Sequence, residues 1–145
     1  MKKILSTLLL LSMATFTLAA NLTSPEGTWK TIDDETGEEK SIVTVWIENG
    51  ELKGRIDTLL NPSEPNPKCD DCKGSRKGQL IEGMTFVWGL SQDGDEWKGG
   101  TILDPGNGKE YKAKLKVIED GQKLEVRGFI GFALIGRTQV WERAQ

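Results

Sequence analysis

Residues 41–59 read Ser41-Ile42-Val43-Thr44-Val45-Trp46-Ile47-Glu48-Asn49-Gly50-Glu51-Leu52-Lys53-Gly54-Arg55-Ile56-Asp57-Thr58-Leu59, two runs rich in β-branched residues joined by Asn-Gly. Both residues of that dipeptide tolerate the positive φ that a type I′ turn demands, so the stretch predicts a tight β-hairpin. In its second arm Leu52, Gly54, Ile56 and Thr58 alternate with Lys53, Arg55 and Asp57. A period of two places one face on a core and the other in water.

The same grammar extends in both directions. Upstream, a strand over 28–32 stops at the acidic turn Asp33-Asp34-Glu35-Thr36-Gly37, and the first arm of the hairpin covers 41–47. Downstream, a strand over 84–90 carries Met84, Phe86 and Trp88 on one face and Val87 on the other, which predicts cover on both sides. Strands over 97–102, 110–117, 123–128 and 137–143 follow, with Tyr111, Ala113, Leu115 and Val117 inward in the second of these. The clusters Gln92-Asp93-Gly94-Asp95, Asp104-Pro105-Gly106-Asn107-Gly108 and Glu119-Asp120-Gly121 separate them as turns. No stretch beyond residue 20 has a long helical period. The prediction is all-β: an antiparallel meander of roughly eight strands, closed or nearly closed into a small barrel, because an open meander would expose its edges.

The first twenty residues stand outside that fold. Lys2 and Lys3 precede an apolar run from Ile4 to Leu18 that ends in Leu18-Ala19-Ala20, the pattern of a secretory signal peptide. The expected organisation is a signal peptide at 1–20 and one barrel domain at 21–145, periplasmic or secreted after cleavage near Ala20. No Cys follows the apolar run, so no lipid anchor is expected, and neither is stable membrane insertion. The formal net charge of the 145 residues is −3, and losing Lys2 and Lys3 makes it more negative. That balance argues against nucleic acid and anionic surfaces as primary partners. The chain contains no His, which removes Ser-His-Asp and Cys-His catalysis, His general bases and His-containing zinc sites.

Three features are candidates for chemistry. Cys69-Asp70-Asp71-Cys72 lies in a Pro-rich connection at 61–79, far longer than the others, and long unstructured connections are usually functional or disordered. In an oxidising compartment the pair reads as a disulfide clip. Redox work would need an electropositive setting, whereas two aspartates separate these thiols. A metal would need four ligands, and no second Cys pair or His completes a set. The apolar run Gly128-Phe129-Ile130-Gly131-Phe132-Ala133-Leu134-Ile135-Gly136 reads either as a bend tucked into the core or as a rim contacting a ligand, partner or lipid. Burial is the preferred reading, since most such runs are inside. Asp104 and Asn107 lack the acidic repeat of a calcium loop and read as a hairpin turn. The acids at 33–39 read as a solvated tip, and nothing singles out a carboxylate pair for glycoside cleavage.

The order and spacing of Gly27-Thr28-Trp29, Leu52-Lys53-Gly54-Arg55-Ile56, Cys69-Asp70-Asp71-Cys72-Lys73-Gly74, Gly83-Met84, Trp97-Lys98-Gly99-Gly100, Ile102-Leu103-Asp104-Pro105, Gly108-Lys109-Glu110-Tyr111, Val126-Arg127-Gly128-Phe129 and Arg137-Thr138-Gln139-Val140-Trp141 resemble the bacterial secreted family catalogued as domain of unknown function 2147. The resemblance spans the mature chain and brings no assigned activity or catalytic residue. Gly27-x-Trp29 opening a strand, the meander, and an Arg in the last strand also resemble the calycin barrels, lipocalins and fatty-acid-binding proteins among them. That resemblance implies that Trp29 packs across one barrel end with Arg143, or Arg137, over it, a contact with cation–π character.

The expected function is non-enzymatic binding of a small apolar or amphipathic ligand, with no cofactor and no metal. Trp46, Phe86, Trp88, Tyr111, Phe129 and Phe132 are the residues expected to line a cavity or to fill the interior. The alternative is an envelope interaction module with a packed core, recognising a protein or wall component through the basic cluster Lys68, Lys73, Arg76 and Lys77 on the Pro-rich loop. An enzyme using carboxylates or thiols is the third reading.

Overall fold

The computed structural model describes residues 23–132 and 135–144. The expected signal peptide lies outside the described residues, as do Ala133 and Leu134 of the apolar run. Eight strands follow one another: β1 (Gly27–Ile32), β2 (Glu39–Glu48), β3 (Glu51–Leu59), β4 (Thr85–Asp93), β5 (Glu96–Asp104), β6 (Lys109–Ile118), β7 (Lys123–Phe129) and β8 (Gly136–Arg143). Each pairs antiparallel with the next, and β8 returns to β1, so the sheet closes into a barrel. Asn49 and Gly50 take φ of 53° and 78°, the double positive φ expected of the β2–β3 hairpin.

Alternation decides the two faces. Trp29 and Thr31 on β1, Ser41, Val43 and Val45 on β2, and Leu52, Gly54 and Ile56 on β3 share the inner face through the pairs Trp29↔Val43, Val43↔Ile56 and Val45↔Gly54. Across the barrel, Trp97↔Leu115, Leu115↔Val126 and Leu124↔Trp141 continue it. Trp29, Val43, Leu52, Leu90, Leu115, Leu124 and Trp141 are fully buried. Phe86 of β4 stacks on Trp141 of β8, with centroids 5.9 Å apart and planes 29° apart. β4 and β8 stand opposite each other in the strand order, so this stack crosses the lumen.

β1 and β8 pair only through Trp29↔Arg143 and Lys30↔Glu142. Beyond that point β1 shifts register against β2 at Thr31/Ile32 and leaves the rest of β8 without a strand partner on that side. The barrel seam is thus hydrogen-bonded at one end and joined by side chains at the other. Of the two barrel ends, the one carrying the turns at 49–50, 94–95 and 119–121 is called here the closed end. The one carrying the β1–β2 turn, the long β3–β4 connection, the β5–β6 turn and the β7–β8 loop is the mouth.

The long connection after β3 folds back along the outer wall. Its Cys69 and Cys72 form a disulfide with Cα atoms 5.3 Å apart, and both are buried, together with Leu103 of β5. Cys69 Sγ lies 3.5 Å from the Pro105 carbonyl. A Cβ on Gly108 would stand 2.1 Å from the Asp71 carbonyl oxygen, so only glycine lets the β5–β6 turn approach the Cys loop this closely. Burial predicts that the native disulfide resists dithiothreitol under conditions that reduce it at once in urea, read by thiol alkylation and mass. Replacing both cysteines by serine is expected to cost about 2 kcal/mol by the loop-entropy relation for so short a ring, read as a lower urea midpoint.

Candidate functional site

The closed end is built around Trp29. Its indole N–H donates to the Pro25 carbonyl at 2.8 Å, and the Arg143 guanidinium lies 4.2 Å over its ring. Arg143 donates from Nε to the Gly121 carbonyl (2.6 Å), from Nη1 to that of Glu26 (3.0 Å) and from Nη2 to that of Ser24 (3.0 Å). One side chain thus ties the segment before β1 to the β6–β7 turn. A Cβ on Gly27 would lie 2.9 Å from Arg143 Nη1, so glycine leaves the fork its space. Burial lowers the Arg143 pKa, yet a guanidinium stays charged at any ordinary pH. Gly27, Trp29 and Arg143 are therefore in mutual contact at one barrel end; Arg137 is at the other. A half-open cleft of about 820 Å³ lies beside this closure, lined by Ile47, Gln92, Trp97, Val117 and the 118–121 turn.

The mouth has a different chemistry. Arg137 donates from Nε to Asp34 Oδ2 at 3.0 Å and from Nη2 to Asp34 Oδ1, a bidentate pair. Gln139 Nε2 donates to the same carboxylate at 3.4 Å, and Trp141 Nε1 donates to Gln139 Oε1 at 3.0 Å. The chain Trp141–Gln139–Asp34–Arg137 runs from the stacked floor to the rim across the part of the seam where β1 and β8 do not pair. Asp33 and Glu35 stand 3.8 and 3.7 Å from the same guanidinium. On the inner wall, Thr31 Oγ1 and Ser41 Oγ share a buried hydrogen bond of 2.7 Å. Tyr111 is half-buried on the face it shares with Ala113, its hydroxyl accepting from Asn107 Nδ2 at 3.3 Å. Ile102, Tyr111 and Gln139, on the inner wall toward the mouth, keep partial exposure, as do Ile47 and Val117 toward the other end.

Hydrogen bonding from Arg137 holds the Asp34 carboxyl below its ordinary range. Asp33 is lowered too, first by the Thr36 backbone N–H. A lowered folded pKa means stabilisation that is complete above the ordinary carboxylate pKa and is lost as pH falls through the folded value. Acid unfolding of Asp34→Asn should accordingly be less steep below about pH 4 than that of the parent, as monitored by far-ultraviolet circular dichroism. An unchanged acid limb would remove Asp34 from the latch.

The six residues expected to line or fill the interior separate. Phe86 forms the floor, and Tyr111 stands on the inner wall of the mouth. Trp46 is on the outer wall, beneath Arg55 at 5.9 Å and donating to Glu48 Oε2 at 3.3 Å. Trp88 also faces out, because pairing irregularities between β3 and β4 break simple alternation, and Arg76 covers it at 4.0 Å. Phe129 pairs with outward-facing Lys112, and Lys114 Nζ lies 5.7 Å from its ring. Phe132 is 89% exposed, with Ile130 at 56% and Ile135 at 69%. The preferred core reading of the 128–136 run fails for these three side chains. The loop turns on itself beyond the ends of β7 and β8, with Ile130 N–H donating to the Ile135 carbonyl at 2.9 Å, and reaches past the barrel it was expected to fill. Reading by faces missed Trp141, Trp97 and the Asp34–Arg137 latch.

Comparison with known proteins agrees with this architecture. Protein HP1028 from Helicobacter pylori, described as belonging to the lipocalin family, superposes with a TM-score of 0.71 at 20% identity, covering 83% of this chain and 82% of that one; the likeness is one of fold. No curated protein matches. The family described as uncharacterized protein conserved in bacteria (DUF2147) matches residues 27–143, from the first residue of β1 to the last of β8, and this chain belongs to it.

Proposed function

We propose that this chain is an exported, non-enzymatic binding barrel that takes a small amphipathic ligand at its mouth. The carrying observation is the division of the lumen by the Phe86–Trp141 stack. Below it Trp29, Leu52, Leu90, Leu115 and Leu124 pack the interior up to the cleft lined by Ile47, Trp97 and Val117. Above it, half-buried Ile102 and Tyr111 supply apolar wall, while Gln139, Asp34 and Arg137 supply directional polar groups. Few polar groups over an apolar floor is the usual makeup of a small-molecule site. The cleft at the closed end sets Gln92, Asp95, Glu119 and Asp120 beside Ile47, Trp97 and Val117; we prefer the mouth because Gln139 there bonds to the Asp34–Arg137 pair directly above the stack. Export rests on the signal-peptide pattern of residues 1–20 and suits the Cys69–Cys72 disulfide.

The test is native mass spectrometry of protein exported in a bacterial host, before and after denaturing delipidation, with tryptophan fluorescence during titration of lauric and palmitic acid. A copurifying small mass, or a saturable change that Tyr111→Ala and Gln139→Ala weaken, supports the reading. A clean apo mass together with flat fluorescence would end it. The packed lower barrel favours the interaction module as second reading. There Arg76 is engaged on Trp88, while Lys68, Lys73 and Lys77 remain at the surface, and Lys73→Glu with Lys77→Glu should abolish capture of an envelope partner.

A further inference from the structure

We propose that the cleft at the closed end is a second binding site, which takes a small amphipathic organic cation: an apolar body carrying an oxygen acceptor, with an ammonium head. Its apolar wall is formed by Ile47, Val117 and Trp97. Ile47 and Val117 remain half-buried where the next inward residues along their strands, Val45 and Leu115, are sealed. The cleft, at about 820 Å³, has the size of a small-molecule site.

Trp97 carries the sign of a ligand. Every other tryptophan has its ring engaged: Trp29 under Arg143, Trp46 under Arg55, Trp88 under Arg76 and Trp141 on Phe86. Among the described residues Trp97 has no such partner, and nothing accepts from its indole N–H. The residue is only 6% exposed. No sealed side-chain nitrogen or oxygen among the described residues lacks a partner, so this N–H is reached from outside, and the cleft is the opening that Trp97 lines. A donor left open in an apolar wall calls for an acceptor on whatever binds there.

Charge selects the head group. Asp95, Glu119 and Asp120 rim the cleft, and Glu26 beside it accepts from the Ile47 N–H at 2.9 Å. The cations of this end are engaged elsewhere or turned outward. Lys116 pairs with Asp95 at 3.1 Å, Lys98 with Asp93, and Lys53 with Glu48 and Glu51. Arg143 donates to the Gly121, Glu26 and Ser24 carbonyls, and Lys123 alternates with buried Leu124 on the outer wall, opposite Glu142. Glu119 and Asp120 are exposed and carry no ion pair among the described residues. An ammonium head answers them, whereas a metal ion would gain nothing from an indole N–H and aliphatic groups, which offer it no lone pair.

The probe is octanoylcholine, which joins an acyl chain, an ester carbonyl and a quaternary ammonium, titrated below its micelle concentration into isotopically labelled mature protein. Nuclear magnetic resonance follows the indole N–H signals of the five tryptophans, that of Trp97 being identified by its loss in Trp97→Phe. A saturable downfield shift of that signal is expected, absent with octanoate and weakened by salt. Glu119→Gln with Asp120→Asn keeps the side-chain sizes, and asparagine tolerates the positive φ at position 120. This pair should weaken binding by about tenfold at an unchanged melting temperature. The assignment fails if the Trp97 signal does not move, if octanoate moves it equally, or if the double variant binds as well as the parent. It fails equally if removal of Asn21 and Leu22 shifts the signal without any ligand, which would give the cleft to the chain's own N-terminal residues. No cleft residue belongs to the mouth, so failure of either site leaves the other standing.

Discussion

Truncation of Trp141 to alanine is expected to cost about 3–5 kcal/mol, the range for deleting a buried aromatic side chain. Trp141 is fully buried, stacks on Phe86 across the lumen, and donates its indole N–H to Gln139. Its removal takes away the floor of the mouth and the top of the lower core at once. The void has walls on opposite strands of a closed sheet, which cannot move together without breaking strand pairing, so collapse recovers little of the loss. Trp141→Phe keeps the stack and loses the N–H, and about 1 kcal/mol is expected. Trp46→Ala, on the outer wall, should cost no more than about 1 kcal/mol. Urea unfolding measures all three. Indole added to the Trp141→Ala variant should restore part of the midpoint by filling the void. A loss under about 1 kcal/mol for Trp141→Ala, with no response to indole, would mean that the stack does not divide the lumen.

The strand pattern was legible because it depends on local chemistry. Turn clusters and alternation located eight strands, and the closed meander follows from the need to protect edges. Alternation separates two faces without saying which is inside, and aromatic residues mislead when a loop or a long cation covers the outer one. Trp46 lies under Arg55 and Trp88 under Arg76, so both are partly sheltered without entering the barrel. Trp141 was readable in principle: it alternates with Gln139 and Arg143 on β8, and the expected role of Arg143 already placed that face inward. The Asp34–Arg137 latch was not readable, since its partners are 103 residues apart and meet only because β1 turns away from β8. The apolar loop at 128–136 followed the usual odds toward burial, which local hydrophobicity alone cannot distinguish from a projecting turn.

Replacing Arg143 should produce the second large effect, and the choice of replacement identifies its cause. Alanine removes a guanidinium that donates to the Gly121, Glu26 and Ser24 carbonyls and covers Trp29. Water can reach part of that cluster, so the loss is expected at about 2–4 kcal/mol, below the sum of three charge-assisted bonds. Lysine keeps the charge but not the planar fork. One ammonium cannot serve three carbonyls on two separate segments, so Arg143→Lys should recover less than half of the alanine loss. A double-mutant cycle with Trp29→Leu should give a coupling of about 1 kcal/mol or more for the ring contact. Because the acceptors are carbonyls and not carboxylates, moderate salt should leave the Arg143 contribution nearly unchanged, while the Asp34–Arg137 pair at the other end weakens. Full rescue by lysine would make the closure a matter of charge alone and would contradict the geometry of the fork. Failure of both variants to lower the urea midpoint would leave Trp29 and strand pairing sufficient to close this end, with Arg143 merely resting on it.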